Sequence, residues 1–440
     1  MSQEIQSFFA SIGQLDVDLR DVLSQGNKGK RVISSFVRII TREVADQRVP
    51  GKVKYPLAEI VVMVFFGVMA GYHTVGSIKR FCEHKQRYLR RYLKMKHGIP
   101  SDDTMMLVLS SIDLVQLEAA TVGFLLEKFT QIRAHLGIAE PKLPHVCIDG
   151  KESRGTGRLS GSSREIRNLQ TLHVYDAQCG ICLVSRQIDQ KTNEIPVAQE
   201  VLQALDLRGV LVTFDAMHTQ KETIHIIAQR KGYFMGGLKG NQKVLAEEAQ
   251  LFFDQQYVAK AVKDPVLCFV SSEKAHNCLE TRQFIIARVD HVPASVFSDW
   301  KHINSVVQYT KTVTDYEKGG VKRSETRYYV TNLVDAKSCG YAIRSHWQVE
   351  NSLHWHLDVR FGDDRNMTVN RTASGNLTLL KKMALSLYKL LQPFEKKGTS
   401  LNMISVDFSA SFEDAMKRLL NLCDNATLKQ ALESVSQKQS

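Results

Sequence analysis

At 440 residues the chain is too long for one ordinary core, so two or three domains are expected. A hydrophobic fraction of 43% with 24% charged residues excludes a wholly disordered or fibrous chain. The formal charge of +12, from 58 Lys and Arg against 46 Asp and Glu, suits a polyanionic partner such as nucleic acid.

The opening MSQEIQSFFASIGQLDVDLRD has no basic leader followed by an apolar core, so no secretion signal is expected there. The most apolar stretch, AEIVVMVFFGVMAGY from Ala58, carries Glu59 and is too short to span a bilayer, which predicts a buried helix and no membrane partner. The eight cysteines have no framework spacing, as expected of reduced thiols in the cytoplasm. Cys179 and Cys182 bracket Gly180, a pattern better suited to a hairpin turn than to a metal site.

Residues 1–140 read as a helical N-terminal domain. Apolar residues recur at helical spacing through LAEIVVMVFFGVMAG and LVQLEAATVGFLLEKFTQI. Between these runs, Lys79, Arg80, Lys85, Arg87, Arg90, Arg91, Lys94 and Lys96 stand against Glu83 alone. A solvated helix face would tolerate that density; DNA phosphates would use it, with Tyr88 and Tyr92 as further backbone contacts. GIPSDDT supplies a turn and a helix N-cap.

From residue 143 the pattern changes to strands. HVCID runs into Asp149, TLHVYDAQ and ICLVSRQI form a hairpin, and GVLVTFDA runs into Asp215. TNEIPVAQEVLQALDLRG and HTQKETIHIIAQRKG are the intervening helices, the first capped by Asn193, and YFMGGLKG is a third apolar strand. Together they predict a mixed α/β sheet flanked by helices over 141–245. Residues 246–335 are rich in Val, Thr, Tyr and Phe and predict an antiparallel β-rich insertion. Helix returns over 336–395, where Ser345 and Gln348 suit a capping box ahead of Glu350. Residues 396–440 predict a smaller helix, FEDAMKRLLNLC, and a polar tail.

Two strand-end aspartates facing the loops form a site only if a cation offsets their repulsion, and hard carboxylate oxygens suit Mg²⁺ or Mn²⁺. Each aspartate alone would serve equally as a turn former. Glu350, flanked by Trp347, Leu353 and Leu357 on a face expected to point inward, is the best third acid, although it could pair with Arg344. Jointly the three acids and the basic chain favour metal-assisted phosphoryl transfer.

IDGKESRG, TFDAMHTQ, YFMGGLKGNQ and HWQVENSLHWHLDVRF resemble, in order, the signature blocks of the H-repeat-associated insertion-sequence transposases, a branch of the DDE superfamily. That resemblance implies an RNase H-like core with Asp149, Asp215 and Glu350 as catalytic and metal-binding triad, and two Mg²⁺ or Mn²⁺ ions per active site. It also implies double-stranded DNA partners (element ends and target), a homodimer on DNA and a bacterial, nucleoid-associated location. Wider relatives place tyrosine, arginine and lysine around the glutamate. Here Ile343, His346 and Leu357 stand instead, leaving His346 or His354 to contact phosphate.

Lys151, Arg154 and Arg158 are expected to receive the DNA backbone beside Asp149, with Lys239, Asn241, Gln242 and Arg344 as further contacts. His276, Arg282 and Trp300 in the insertion are secondary candidates, although a core tryptophan would explain Trp300 as well. Two rival functions keep the same residues: a metal-dependent nuclease or resolvase, and a catalytically silent DNA-binding protein.

Overall fold

The computed structural model describes residues 20–135, 143–158, 166–189, 192–275, 277–291, 297–315, 320–430 and 433. Of the expected polar tail, residues 424–430 and 433 are described; 425–430 are helical, with Leu428 buried, and the remainder lies outside the described residues. From Arg20 to His135 the regular elements are helical: α1 (Arg20–Ser24), α2 (Gly29–Glu43), α3 (Leu57–Met69), α4 (Val75–His84), α5 (Gln86–Leu89), α6 (Asp102–Ser111) and α7 (Leu114–His135). α3 is the apolar stretch, and every residue in it except Glu59 is buried. Glu59 instead accepts the backbone N–H of Lys94 at 3.1 Å, so the one charge in the segment braces the following basic turn. Ser101 caps α6 by accepting the Thr104 N–H at 3.2 Å, as GIPSDDT predicts.

The next elements are β1 (His145–Ser153), β2 (Leu169–Asp176), β3 (Ile181–Ile188), α8 (Glu194–Ala204), β4 (Leu211–Phe214), α9 (Lys221–Gln229) and β5 (Tyr233–Leu238). α10 (Lys243–Phe252) and α11 (Gln255–Ala261) lead into β6 (Cys268–Ala275), β7 (Cys278–Arg288), β8 (Ser305–Asp315) and β9 (Val321–Thr331). One nine-stranded mixed sheet results, ordered β3-β2-β1-β4-β5-β9-β8-β7-β6. β4 is parallel to β1 and to β5; all other neighbours are antiparallel. The four strands expected as an insertion therefore continue the same sheet, because β9 pairs with the edge of β5 that would otherwise be open. The turn around Gly180, at φ +71°, joins β2 to β3, and Cys179 and Cys182 are buried beside it.

After β9 come α12 (Ala336–His346), a π-helical turn at Val349–His354, α13 (Trp355–Val359), α14 (Arg371–Leu391), α15 (Leu401–Ala410) and α16 (Phe412–Leu422). α12 is capped by Asp335, which accepts the Ser338 N–H at 2.7 Å. The expected capping box at Ser345 and Gln348 does not form, because the chain is already helical there and Ser345 is buried in the last turn of α12. Among the described residues no single helix is long and apolar enough to cross a membrane.

Three apolar clusters form the core. α8 and α9 cover one face of the central strands through Val201, Leu202, Ile224 and Ile227. α12 packs Ala342 and Ile343 against Phe284, Ile286 and Val307. The largest cluster joins the helices before β1 to α14–α16 and to Cys147, Tyr175 and Ile181 of the sheet. α14 is central to it and is buried from Ala373 to Leu391, including three lysines. Lys381 ion-pairs with Asp363 at 3.3 Å with both side chains fully enclosed. Asp363 also accepts from Thr378 at 2.8 Å and from Ser153 at 2.9 Å, which ties α14 to the end of β1. Removing one partner of such a pair leaves a buried charge uncompensated. Lys381→Met is expected to destabilise the protein by about 3–5 kcal/mol, read as a lower denaturant midpoint.

Candidate active site

Strand register sets the site. In the parallel pair, Ile148 lies opposite Phe214 at the end of the pairing, so Asp149 and Asp215 are the residues that follow the last pair. Side chains alternate along each strand. Val146, Ile148, Val212 and Phe214 turn into the core beneath α8 and α9. Cys147 and Thr213 face the other side, where Cys147 meets the Ser345 carbonyl at 3.6 Å and Thr213 Oγ1 meets His346 Nδ1 at 3.1 Å. Asp149 and Asp215 share that second face by the same alternation. β1 does not stop at Asp149, as expected from the sequence; it continues along β2 to Ser153 while its pairing with β4 ends. Asp149 thus stands at the fork where the two strands part.

Each aspartate is held by its own backbone. Asp149 Oδ1 accepts the Gly150 N–H at 3.0 Å, and Oδ2 lies 3.6 Å from His354 Nδ1. Asp215 Oδ1 accepts the N–H groups of Met217 at 3.0 Å and His218 at 3.3 Å, capping a short 3₁₀ turn. Burial, reinforced by the charges of Glu350, Asp215 and Glu194, pushes the Asp149 carboxyl up to about 8. Glu350 therefore lies within electrostatic reach of Asp149. Its side chain is exposed, however, while Val349 and Leu353 on either side are buried. Glu350 therefore does not face the core as expected: it lies off the stripe of Val349, Leu353 and Leu357, within a π-helical turn, and such turns are common at functional sites. Among the described residues no three His, Cys, Asp or Glu side chains already stand as a closed metal-ligand set. Unneutralised carboxylates repel, and the donors gathered here are the hard oxygens that suit Mg²⁺ or Mn²⁺.

The two histidines expected to contact phosphate are not cationic. Burial, with Lys151 and Lys382 nearby, brings His354 down to about 3, and His354 Nε2 is engaged at 2.9 Å by His173 Nδ1. Burial brings His346 down to about 4. In that state an imidazole would offer a phosphate oxygen an N–H donor but no positive charge.

The expected DNA contacts divide sharply. Lys151 is buried and ion-pairs with Asp358 at 2.6 Å, so it braces β1 against α13 and does not reach outward. Arg158 donates to the carbonyls of Gly155, Gly157 and Met367 and is likewise spent inside the protein. Arg154 is open, with its side chain 78% exposed and Asp364 at 3.8 Å. Lys239 is exposed. Asn241 and Gln242 donate to the carbonyls of Ala216 and Thr219 at 2.6 and 2.9 Å, which fastens the turn after Asp215. Arg344 ion-pairs with Glu273 at 2.8 Å, and Arg282 pairs with Glu280 and Glu273. Trp300 is a core residue, buried with Phe297 and Ile303. His276 lies outside the described residues.

On the helical side, Arg80, Arg87, Arg90, Arg91 and Lys94 are exposed. Lys79 pairs with Glu83 at 3.2 Å, while Arg91 and Lys85 share Glu413 at 3.6 and 3.1 Å. Tyr88 is buried, its hydroxyl 3.2 Å from that of Tyr92, so it packs the helices and does not meet DNA. Glu194 was not singled out by its sequence context, where it looks like an ordinary acidic residue in the first turn of α8. The feature of the fold that points to it is Gly150: a Cβ added there would lie 2.2 Å from Glu194 Oε2 and would push the carboxylate aside.

Residues 140–387 match the family described as Transposase DDE domain, and residues 40–125 match one described as DDE_Tnp_1-associated. "Putative transposase YncI" of Escherichia coli O157:H7 is 29% identical over 350 residues, covering 79% of this chain and 85% of that protein. "H repeat-associated putative transposase YhhI" of Escherichia coli K12 is 28% identical over 331 residues, covering 73% and 82%. A solved piggyBac transposase synaptic complex with hairpin DNA aligns over 96% of this chain and 82% of its own, at 12% identity and a TM-score of 0.36.

The folded Asp149 holds its proton up to about 8, whereas the free carboxyl releases it near 3.8. Between those values the folded state binds more protons than the unfolded one, so metal-free stability falls as pH rises. Asp149→Asn is therefore expected to raise the melting temperature of the metal-free protein, by more at pH 8 than at pH 5. Equal shifts at both pH values would contradict this electrostatic account.

Proposed function

The chain belongs to the Transposase DDE domain family, and on that premise we propose that it binds the ends of an insertion sequence and cuts and rejoins them using Asp149, Asp215 and Glu350. The observation that carries this reading is the register that brings Asp149 and Asp215 to the same end of the β1–β4 pairing; the raised proton affinity of Asp149, due first to burial and then to the charges of Glu350, Asp215 and Glu194, supports it. The order β3-β2-β1-β4-β5, with β2 antiparallel to both its neighbours and with β3, β4 and β5 all running parallel to β1, supports an RNase H-like core.

A pair of Mg²⁺ or Mn²⁺ ions, when bound, supplies the Lewis acidity for in-line attack at a phosphodiester and stabilises the leaving oxygen. Asp149, Asp215 and Glu350 are the residues that would hold them. The protein's own contribution is positional. Backbone N–H groups fix the two aspartates, His354 flanks the second oxygen of Asp149, and exposed Glu350 leaves its side of the site open to a large substrate. Water would serve as nucleophile for cutting and the freed 3′-hydroxyl for joining, which separates this reading from a nuclease that only hydrolyses. Joining two ends requires their synapsis, so a homodimer on DNA follows. The exposed cations from Arg80 to Lys94, with Arg154 near the site, are the proposed phosphate contacts.

Asp149→Asn, Asp215→Asn and Glu350→Gln are each expected to abolish Mg²⁺-dependent cleavage of the inverted repeats flanking the gene, and strand transfer of pre-cut ends, while DNA binding persists. Near-normal cleavage by any one variant would defeat the assignment. Replacing Arg87, Arg90 and Lys94 together with alanine is expected to weaken DNA binding and to reduce its salt slope by roughly 0.9 per lost phosphate contact. A salt titration with an unchanged slope would remove this surface from the interface.

A further inference from the structure

Glu194 brings a fourth carboxylate to the site. It is the first residue of α8, directly behind Asn193, which caps the helix by accepting the Ile195 N–H at 3.1 Å. Glu194 Oε1 accepts a hydrogen bond from His218 Nε2 at 2.7 Å. His218 is only 1% exposed and sits in the turn capped by Asp215, so the His218 backbone holds Asp215 while its ring holds Glu194. The carboxylate lies against the backbone of Gly150, the residue after Asp149. A Cβ at Gly150 would stand 2.2 Å from Oε2 and 2.5 Å from Oε1. Among the described residues no hydrogen-bond donor of the protein is directed at Oε2.

A role confined to helix α8 does not explain this placement. An acidic side chain in a first helical turn interacts favourably with the helix dipole from solvent, without entering a strand fork already crowded with carboxylates. Bringing it there costs free energy unless a cation offsets the repulsion. The clearance at Gly150 fits this placement, since a Cβ there would push the carboxylate out of the position it holds.

We propose that Glu194, oriented by His218, is a fourth carboxylate ligand of the divalent-cation site, and that Gly150 is glycine in order to admit it. The inference rests on reading Asp149, Asp215 and Glu350 as cation-binding residues. Glu194→Gln keeps the length of the side chain and an oxygen to accept from His218, but removes the anion. Gly150→Ala keeps every carboxylate and displaces only the flexible end of Glu194.

The test is calorimetric titration of the full-length protein with Mn²⁺, together with melting of the metal-free protein. Both single variants are expected to lose one Mn²⁺ or to bind about tenfold or more weakly, the range seen when a supporting group of a metal site is removed. Their metal-free melting temperatures should not fall. The double variant should bind no more weakly than either single one, because both act on the same contact. Wild-type affinity and stoichiometry in Glu194→Gln, alongside loss of binding in Asp149→Asn, would overturn this inference and leave the three-acid site standing. Absence of Mn²⁺ binding by the unaltered protein would instead sink the cation site itself, and this inference with it. A fall in metal-free stability with unchanged Mn²⁺ binding would reduce Glu194 to a structural partner of His218.

Discussion

Parallel pairing of β1 with β4, in the register that sets Ile148 opposite Phe214, is the constraint on which the candidate site depends. A slip of one residue would move one aspartate to the opposite face of the sheet, because side chains alternate strictly along a strand. The apolar partners prevent it. Ile148 and Phe214 are both buried beneath α8 and α9, and a slip would turn one of them out of that packing and put its neighbours in its place. The precision of the acidic pair is thus supplied by apolar packing on the other side of the same strands.

Gathering carboxylates in a half-enclosed site is unfavourable, and the surrounding structure is organised to withstand it. Lys151, two residues beyond Asp149, is paired with Asp358, and Asp363 is paired with Lys381 and hydrogen-bonded by Ser153. Burial pushes the Asp363 carboxyl up, but Lys381, Thr378 and Ser153 together bring it below its ordinary value. These contacts anchor the end of β1 to the segment following Glu350 and to the core of α14. The basic residues of IDGKESRG, which suggest a DNA surface when read as a string, therefore divide between internal braces and the open side chain of Arg154.

Much of the architecture was legible from local rules. The apolar run from Leu57 to Met69 is a buried helix, the segments around Asn193 and Ser101 cap helices as their residue types dictate, and Cys179-Gly180 sits in a hairpin turn. Legibility ended where partners distant in the chain decide. Nothing local distinguishes Lys151, which ends in a buried ion pair, from Arg154, which stays open. The π-helical turn that contains Glu350 carries no propensity signature, and the lowered proton affinity of His346 and His354 follows from burial that only the packed state creates.

The amino-acid sequence by itself determined the alternation of strands and helices, the two aspartates following apolar strands, the glutamate in a later helical segment and the family signature, because each is written in short-range pattern. The tertiary structure alone decided that the β-rich segment joins the same sheet, that Asp149 lies at a fork and not at a strand end, and that Glu194 stands beside it. These depend on pairing, burial and summed charge among residues tens to hundreds of positions apart. Such interactions scale with distance in space, and separation along the chain does not encode it.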